Sequence, residues 1–273
     1  MKLPSNILDF PHRYLRIPYR LHVVEFRSPK KPKATFILLH GIGNSTKAWE
    51  NVVKQMPKDV RIIAIDLLGF GGSPKPAWAT YDAKQQARSI GATIMRMRLR
   101  QRPIIVGHSL GALVAIHIAK KYSFAVKRLV LCSPPLYNPA EGKAAWRDTT
   151  LRSLYTIALK HPEQLQKLAP LAVKLGIANP AFSLTNETAA SYATSLRTAI
   201  INQTSLAELS SLQLPVDILY GVFDPVVIDT YFTALQTTHP NISVKRVVAG
   251  HEVMGIYAKT LVTHLQNLIV APK

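Results

Sequence analysis

The stretch Gly107-His108-Ser109-Leu110-Gly111 decides the fold of this chain of 273 residues. It joins an apolar run, residues 103–106, to a segment of helical character, residues 110–122. A strand, a turn and a helix around Gly-x-Ser-x-Gly hold a serine hydroxyl in a strained turn above a sheet. Because the two glycines lack a Cβ, the turn can bend tightly and the helix can pack close to the neighbouring strand. A glycine-rich turn without chemistry is the alternative, since so short a pattern also recurs by chance.

Composition limits the class of protein. A hydrophobic fraction of 48% is enough for a substantial core in one large α/β domain or two small ones. The single cysteine, Cys132, excludes an intrachain disulfide and ends an apolar run, so we expect it to be a small buried hydrophobe. Residues 1–10 contain no apolar core of signal-peptide length, and residues 103–119, the longest apolar stretch, are too few to cross a bilayer. These features predict a cytoplasmic protein without a transmembrane helix.

The net charge of +19, from 34 basic and 15 acidic residues, would favour anionic partners. The basic residues cluster only at positions 30–33 and in the arginines at 96, 98, 100 and 102. Neither cluster interleaves aromatic residues for base stacking, and no zinc-finger or RNP pattern is present. The arginines fall at a predicted helix C-terminus, where the helix dipole favours cations. We expect a solvated basic surface and no nucleic-acid partner, and a weak association with anionic surfaces stays open.

Short apolar runs predict strands that are buried on both faces of a parallel sheet. They comprise residues 35–39, 60–65, 104–106, 129–132, 216–220 and 244–248. Predicted helices alternate with them, at residues 46–56, 82–100, 110–122, 228–237 and 253–269. This alternation predicts a doubly wound α/β fold, with a mostly parallel central sheet and helices on both faces. Before the first run, residues 14–17 and 21–26 predict an antiparallel hairpin.

The alternation stops between residues 134 and 211, where no strand is predicted. Apolar residues at helical spacing fill positions 151–159, and positions 187–201 form another amphipathic stretch. Pro162 suits the first turn of a helix and Gly176 suits a helix end. Prolines at both limits disfavour a continued helix. We therefore predict a core of residues 1–133 and 212–273 that is interrupted by a helical insertion, residues 134–211.

Two further loops contain the partners that a reactive serine needs. Its hydroxyl needs a base to remove the proton, and the base needs a carboxylate to fix its tautomer. Asp224 follows the run 216–220 and His251 follows the run 244–248. Both therefore lie at the carboxyl ends of strands, where ligands gather in open α/β sheets. The order Ser109, Asp224, His251 is the one associated with this turn motif.

The loop after residues 35–39 can supply hydrogen-bond donors for a tetrahedral intermediate. It reads His40-Gly41-Ile42-Gly43. The backbone N–H of Ile42, together with that of Leu110 after the serine, can form an oxyanion hole. We expect the side chain of His40 to brace this loop by hydrogen bonding and not to carry protons.

Five segments resemble, in order, the landmarks of the α/β-hydrolase superfamily, and the resemblance covers nearly the whole chain. They are HGIG at residues 40–43, DLLGFGGS at 66–73, GHSLG at 107–111, GVFD at 221–224 and GH at 250–251. The resemblance implies that Ser109 is the nucleophile and that His251 is the general base and acid. It further implies that Asp224 is the orienting carboxylate and that Ile42 and Leu110 are the oxyanion donors. It also implies that the insertion is a helical cap, or lid, which enters after the sixth strand.

Other polar residues near these landmarks have competing interpretations. Some family members carry the acid after the sixth strand, but residues 132–135 contain no carboxylate. Asp217 would lie within a strand and Asp229 in the following helix, which leaves Asp224. Asp66 matches a family residue that stabilises its own loop. His108 is expected to pack beneath the serine turn, and Glu252 to cap the final helix.

A serine nucleophile narrows the reaction. Family members that open epoxides or displace halide use aspartate at this position, so Ser109 favours acyl transfer. We predict a carboxylesterase or lipase-like hydrolase that acts on a small-molecule ester. A C–C bond hydrolase of ring-cleavage products, an acyltransferase and a non-catalytic binding protein of the same fold remain alternatives. The nine histidines show no ligand spacing and no phosphate-binding lysine follows residues 69–72, so we expect no metal and no cofactor.

Overall fold

The computed structural model describes residues 5–138, 157, 162–174 and 178–270. The strands are β1 (Val23–Arg27), β2 (Thr35–Leu39), β3 (Arg61–Ile65), β4 (Ile104–His108), β5 (Arg128–Cys132), β6 (Val216–Gly221) and β7 (Ile242–Val247). They form one sheet in the order β1-β3-β2-β4-β5-β6-β7. β1 is antiparallel to β3, and every other neighbouring pair is parallel. The mostly parallel sheet predicted from the apolar runs is confirmed.

Helices lie between the strands as the sequence predicts. They are α1 (Ser5–Arg13), α2 (Glu50–Gln55), α3 (Ala83–Arg96), α4 (Leu110–Lys121), α5 (Pro162–Lys174), α6 (Asn186–Ser195), α7 (Ser205–Ser210), α8 (Asp229–Thr238) and α9 (Gly255–Val270). A 3-10 turn, Thr46–Trp49, precedes α2, and a π-helix, Leu196–Ile201, continues α6. No helix among the described residues combines the length and apolar character that crossing a bilayer requires.

Different helices cover the two faces of the sheet, because successive side chains on a strand point to opposite faces. On β2, Ile37 and Leu39 share an apolar cluster with residues of α3 and α4. Phe36 and Leu38 share the other cluster with residues of α2 and α9. β2, β4 and β6 are buried along their whole length. The loops at the ends of these central strands therefore start from a rigid base.

The predicted N-terminal hairpin is wrong. Residues 14–17 form no strand, and Arg16 has a φ of 55°, which interrupts extended backbone. β1 pairs instead with β3, with Val23 opposite Ile65. The edge of a large sheet offers a β-segment more support than a two-stranded hairpin, which is marginal in water. Because the first hairpin strand is missing, the insertion follows the fifth observed strand and not the sixth.

Between β5 and β6 the described residues form helices and no strand. Pro162 begins α5, and the amphipathic stretch 187–201 forms α6 and the π-helix, as predicted. Thr185 caps α6 through reciprocal hydrogen bonds with Thr188. The apolar pattern predicted as helical at residues 151–159, apart from position 157, and the predicted helix end at Gly176 lie outside the described residues.

Candidate active site

Ser109 occupies a strained turn between β4 and α4. Its φ of 51° and ψ of −117° are unusual for a residue with a side chain. A Cβ on Gly107 would overlap the Gly111 carbonyl, and a Cβ on Gly111 would overlap the Leu39 carbonyl. The Ser109 N–H donates to the Cys132 carbonyl at 3.0 Å, which ties the turn to β5. The geometry predicted from the Gly-x-Ser-x-Gly pattern is therefore present.

Asp224 and His251 come together from the loops after β6 and β7. His251 Nδ1 lies 2.8 Å from Asp224 Oδ2, and the Val226 N–H donates to Asp224 Oδ1 at 2.9 Å. The Asp224 side chain is fully buried, whereas the His251 side chain is 19% exposed. A proton on Nδ1 that faces the carboxylate leaves Nε2 free to accept one from a neighbouring hydroxyl.

The contact between these two side chains outweighs their burial. Burial raises the pKa of Asp224, but the hydrogen bond and charge of His251 hold it below its ordinary value. Burial lowers the pKa of His251, but the hydrogen bond and charge of Asp224 hold it above its ordinary value. The pair thus favours an imidazolium beside a carboxylate, the state that a general base reaches after it accepts a proton.

His108 holds the His251 loop against the serine turn. Its Nε2–H donates to the His251 carbonyl at 3.0 Å, and the centroids of the two rings lie 5.0 Å apart. Burial and the neighbouring His251 lower the pKa of His108 to about 3. His108 therefore stays neutral near pH 7, consistent with a packing role beneath the turn.

Ser109 and His251 both belong to the described residues, and the structure shows no hydrogen bond between Ser109 Oγ and the His251 side chain. Ser109 is 4% exposed, so its hydroxyl is close to fully covered. The serine–base contact is often long before substrate binds and shortens in the complex. The chain therefore brings His251 into contact with Asp224, and a proton transfer from Ser109 to His251 would require these two side chains to approach each other.

Two backbone donors flank Ser109. Leu110 is the first residue of α4, so its N–H has no acceptor within that helix. The Ile42 N–H donates to none of the residues that the structure describes. A Cβ on Gly41 would lie 3.3 Å from the Cβ of Ser109, so the Ile42 loop runs directly beside the serine. Free N–H groups next to a nucleophile are what an oxyanion hole requires.

Asp66 organises a loop beside the site. Its carboxylate accepts hydrogen bonds from the N–H of Thr46 at 2.6 Å, from the N–H of Gly72 at 2.8 Å and from His22 Nδ1 at 2.8 Å. It is 1% exposed. With these partners it holds the ends of two loops together, which confirms the structural role predicted for it.

His40 braces the neighbouring loop. The Leu67 N–H donates to His40 Nε2 at 3.0 Å, so Nδ1 carries the ring proton and donates to the Gly41 carbonyl at 2.7 Å. Burial lowers the pKa of His40, which keeps the ring neutral. The prediction that His40 is a brace is confirmed.

The other carboxylates lie elsewhere. Asp217 lies within β6 and pairs with Arg128 at 2.8 Å, and Asp229 is the first residue of α8, as predicted. Glu252 does not cap α9, because that helix begins three residues later and no described group hydrogen-bonds to the carboxylate. Among the described residues, no group of three or more His, Cys, Asp or Glu side chains is placed to hold a metal ion.

Sequence reasoning missed Ser133. It is fully buried, has a φ of 47°, and its Oγ lies 3.2 Å from the Tyr257 hydroxyl. The Tyr257 hydroxyl donates to the Leu219 carbonyl at 2.6 Å, so the Ser133 hydroxyl donates to Tyr257 and ties the residue after β5 to α9. Ser133 directly follows β5, where some family members carry the acid, but its contact with Tyr257 spans 124 positions and becomes visible only in the folded chain.

Comparison with known proteins places these features in a family. Residues 34–254 match the family model described as the alpha/beta hydrolase fold. Over 121 residues the chain is 35% identical to probable lysophospholipase BODYGUARD 5 of Arabidopsis thaliana. This match covers 42% of the chain but only 27% of that relative.

Solved structures share the fold at low sequence identity. A hydrolase from Oleispira antarctica superimposes with a TM-score of 0.74 at 17% identity, covering 91% of this chain and 96% of that one. E-2-(acetamidomethylene)succinate hydrolase gives a TM-score of 0.67 at 22% identity, with coverage of 92% and 95%. The family match includes every candidate site residue from Ile42 to His251. The chain therefore belongs to the alpha/beta hydrolase fold family.

Proposed function

We propose that the protein is a serine hydrolase, in which Ser109 cleaves a carboxylic ester of a small to medium apolar substrate. The contact of 2.8 Å between His251 Nδ1 and Asp224 Oδ2 carries this proposal. This contact orients the His251 imidazole at the carboxyl ends of the strands, where Ser109 lies in a turn with a φ of 51°. A strained serine beside an oriented imidazole is the arrangement that nucleophilic acyl transfer requires.

The residues divide the reaction into two half-reactions. Ser109 Oγ attacks the ester carbonyl while His251 Nε2 accepts the hydroxyl proton, and the N–H groups of Ile42 and Leu110 stabilise the oxyanion. The tetrahedral intermediate then collapses, and the alcohol leaves with the proton from His251. Water attacks the resulting acyl-enzyme, again with His251 as base, which releases the acid and regenerates Ser109. Asp224 keeps the imidazole in the required tautomer throughout.

In this proposal the insertion, residues 134–211, is a cap over the oxyanion loop. The Ser183 N–H donates to the Gly43 carbonyl at 2.8 Å. The rings of Phe182 and Tyr192 meet edge to face at 6.2 Å, and a Cβ on Gly43 would lie 3.1 Å from Tyr192. Two aromatic rings therefore cover the loop that supplies the Ile42 donor. An apolar roof at this position supports an acyl or aromatic group as the substrate portion bound there.

The plant relative's name supports ester cleavage as the reaction class. It is called a probable lysophospholipase, and the matched stretch of 121 residues is similar at 35% identity. Because that stretch spans 27% of the relative, the activity of the whole relative enters only as support for the chemistry and not for a particular substrate.

A fluorophosphonate probe and p-nitrophenyl esters of increasing acyl length test the proposal. We expect the probe to label the wild type, and ester turnover to follow labelling. The Ser109→Ala variant should lose both. The matched control is Ser123→Ala, which changes an exposed serine in the turn after α4. A wild type that is neither labelled nor active on any ester contradicts the proposal.

The same protein preparations separate the alternatives. Turnover of diketone-type ring-cleavage products without ester turnover would indicate a C–C bond hydrolase. A rate that rises with added alcohol, with formation of a new ester, would indicate acyl transfer. Absence of probe labelling in a folded protein would indicate a non-catalytic binding protein.

A further inference from the structure

A surface cavity of about 430 Å³ lies between α3, α4 and α7. Its volume is within the range of about 300–1,000 Å³ that is usual for small-molecule sites. Its charged lining consists of Lys84, Arg88, Lys120, Lys121, Asp82 and Glu208. Cations outnumber carboxylates by four to two in this lining. The cavity thus concentrates positive charge in a concave surface, where field lines focus.

A second cavity of about 200 Å³ adjoins the first and shares Asp82, Lys84 and His117 with it. Its remaining polar lining comes from the π-helix and the loop that follows, and includes Thr198, Asn202 and Thr204. The pair of cavities therefore offers a cationic part and an adjoining part with uncharged hydrogen-bonding groups.

The two carboxylates already have partners. Asp82 caps α3 and accepts the Gln85 N–H at 2.8 Å. Glu208 Oε2 lies 3.9 Å from Lys120 Nζ, and Lys120 also donates to Ser211 Oγ at 2.7 Å. Neither carboxylate is therefore an ion-pair partner of the three other cations in the lining, Lys84, Arg88 and Lys121.

Lys84, Arg88 and Lys121 form no ion pair with any residue in the described part of the chain. Lys84 and Lys121 are exposed, but Arg88 is half-buried and no described group accepts a hydrogen bond from its guanidinium. A guanidinium has five N–H donors in a rigid fork. A partly covered Arg88 without an acceptor leaves this fork available to a ligand.

The helix dipole accounts for the position of only two of the four cations that line the cavity. Lys120 and Lys121 lie in the last turn of α4, where cations are favourable. Lys84 is the second residue of α3, at the positive end of that helix, where a cation is unfavourable. Lys84 and Arg88 are four residues apart, so both side chains lie on the same face of α3. Helix stability therefore does not account for this pair.

We propose that this cavity binds the phosphate group of a small phosphorylated anion. Arg88 supplies planar, bidentate hydrogen bonds to phosphate oxygens, and Lys84 and Lys121 neutralise the charge as compact ammonium groups. Thr198 and Asn202 face the uncharged part of the ligand in the adjoining cavity. The site lies at the far end of α4 from Ser109, about 17 Å away along the helix axis. It is thus separate from the proposed ester site and does not depend on it.

Calorimetric titration with pyrophosphate and with glycerol 3-phosphate, at a constant ionic strength set with sodium chloride, tests the proposal. We expect saturable one-site binding to the wild type. The Lys84→Gln/Arg88→Gln variant should bind at least about tenfold more weakly, because it removes charge-assisted hydrogen bonds. The Ser109→Ala variant should bind as the wild type does, which keeps this test independent of the proposed hydrolysis.

The matched control is Lys54→Gln/Lys58→Gln, which removes two charges from exposed lysines beside α2, on the other face of the sheet. It should bind like the wild type. An equal loss in this control, or no saturable binding by the wild type, overturns the proposal in favour of general electrostatic attraction.

Vesicles of phosphatidylcholine with and without phosphatidic acid distinguish a lipid headgroup from a soluble phosphoester. We expect glycerol 3-phosphate to bind in their absence, and any vesicle binding to be competed by pyrophosphate and weakened by Lys84→Gln/Arg88→Gln. Vesicle binding without binding of either soluble anion would overturn the proposed cavity site.

Discussion

The loops at the carboxyl ends of the strands and the helical insertion beside them are held by different interactions, the first by strand pairing and the second by side-chain packing. There, Ser109 and Asp224 follow the buried strands β4 and β6, and His251 follows the partly exposed strand β7, which pairs with β6 in fixed register. The insertion contacts the core through buried apolar side chains, such as Leu196 and Leu209 in the cluster beside α4, and through single hydrogen bonds, such as Thr198 Oγ1 to the Thr80 carbonyl at 2.8 Å. On our proposal, the difference assigns the chemistry to loops held by hydrogen-bonded strands, and substrate selection to helices held by side-chain packing. Substitutions in the two regions should accordingly change different kinetic constants.

The largest effect is expected at the buried acid. Asp224→Asn should lower kcat by about 10⁴, because an amide no longer selects the tautomer in which Nε2 of His251 accepts a proton. Ester hydrolysis under saturating substrate measures the change. Asp229→Asn, which alters an exposed carboxylate at the start of α8, is the control and should retain wild-type kcat. If Asp224→Asn lowers kcat by tenfold or less, the proposal that Asp224 orients His251 for catalysis is contradicted.

A second effect concerns the close approach of α4 to β2. Gly111→Ala should lower the free energy of unfolding by about 1–3 kcal/mol, because the new methyl group meets the Leu39 carbonyl of a buried strand. Urea denaturation measures it. Gly250→Ala is matched to it, since a Cβ there meets nothing within 4 Å, and its unfolding free energy should change by less than about 0.5 kcal/mol. Equal stability of both variants would mean that α4 and β2 can move apart to accept the methyl group, and that this contact is less rigid than the packing indicates.

The insertion should respond through selectivity. Tyr192→Ala, in α6, should change the ratio of kcat/KM between short and long acyl esters by about tenfold, because it removes a buried aromatic surface from the roof. Probe labelling of Ser109 should persist. Leu168→Ala, on an exposed face of α5, should leave the ratio unchanged. A uniform loss of kcat across all acyl lengths in Tyr192→Ala would indicate that the insertion affects the chemical step, which contradicts its proposed role in substrate selection.

The smallest effect is a shift in pH dependence. His251 must be neutral to act as a base, and its pKa lies above 6.5, so kcat/KM should fall as the pH drops through that raised value. The nearby Glu252 carboxylate helps to raise this pKa, after the larger contributions of Asp224. Glu252→Gln should therefore move the acid limb of the pH–rate profile to lower pH. Glu50→Gln on α2 should leave the limb in place, and an upward shift in Glu252→Gln would contradict the assignment of His251 as the base.

Prediction from sequence worked best where local patterns and burial agree. The apolar runs that became β2, β4 and β6 are buried throughout, so their composition alone indicates a strand. The N-terminal hairpin failed because the β-rich segment at Val23–Arg27 found its partner in β3, a choice that depends on distant residues. Glu252 failed as a helix cap because α9 begins later than the pattern indicates.

By itself, the sequence determined the strand–helix alternation, the serine turn and the order in which Ser109, Asp224 and His251 follow their strands. Those features depend on short-range chemistry: apolar runs, glycines without a Cβ, and polar residues directly after strands. Only the tertiary structure decided that His251 meets Asp224 at 2.8 Å, that Ser133 meets Tyr257 at 3.2 Å, and that Lys84 and Arg88 line one cavity with Lys121. These contacts join residues that are distant in the chain, and their geometry follows from how the strands are ordered and the helices pack, which no local pattern encodes.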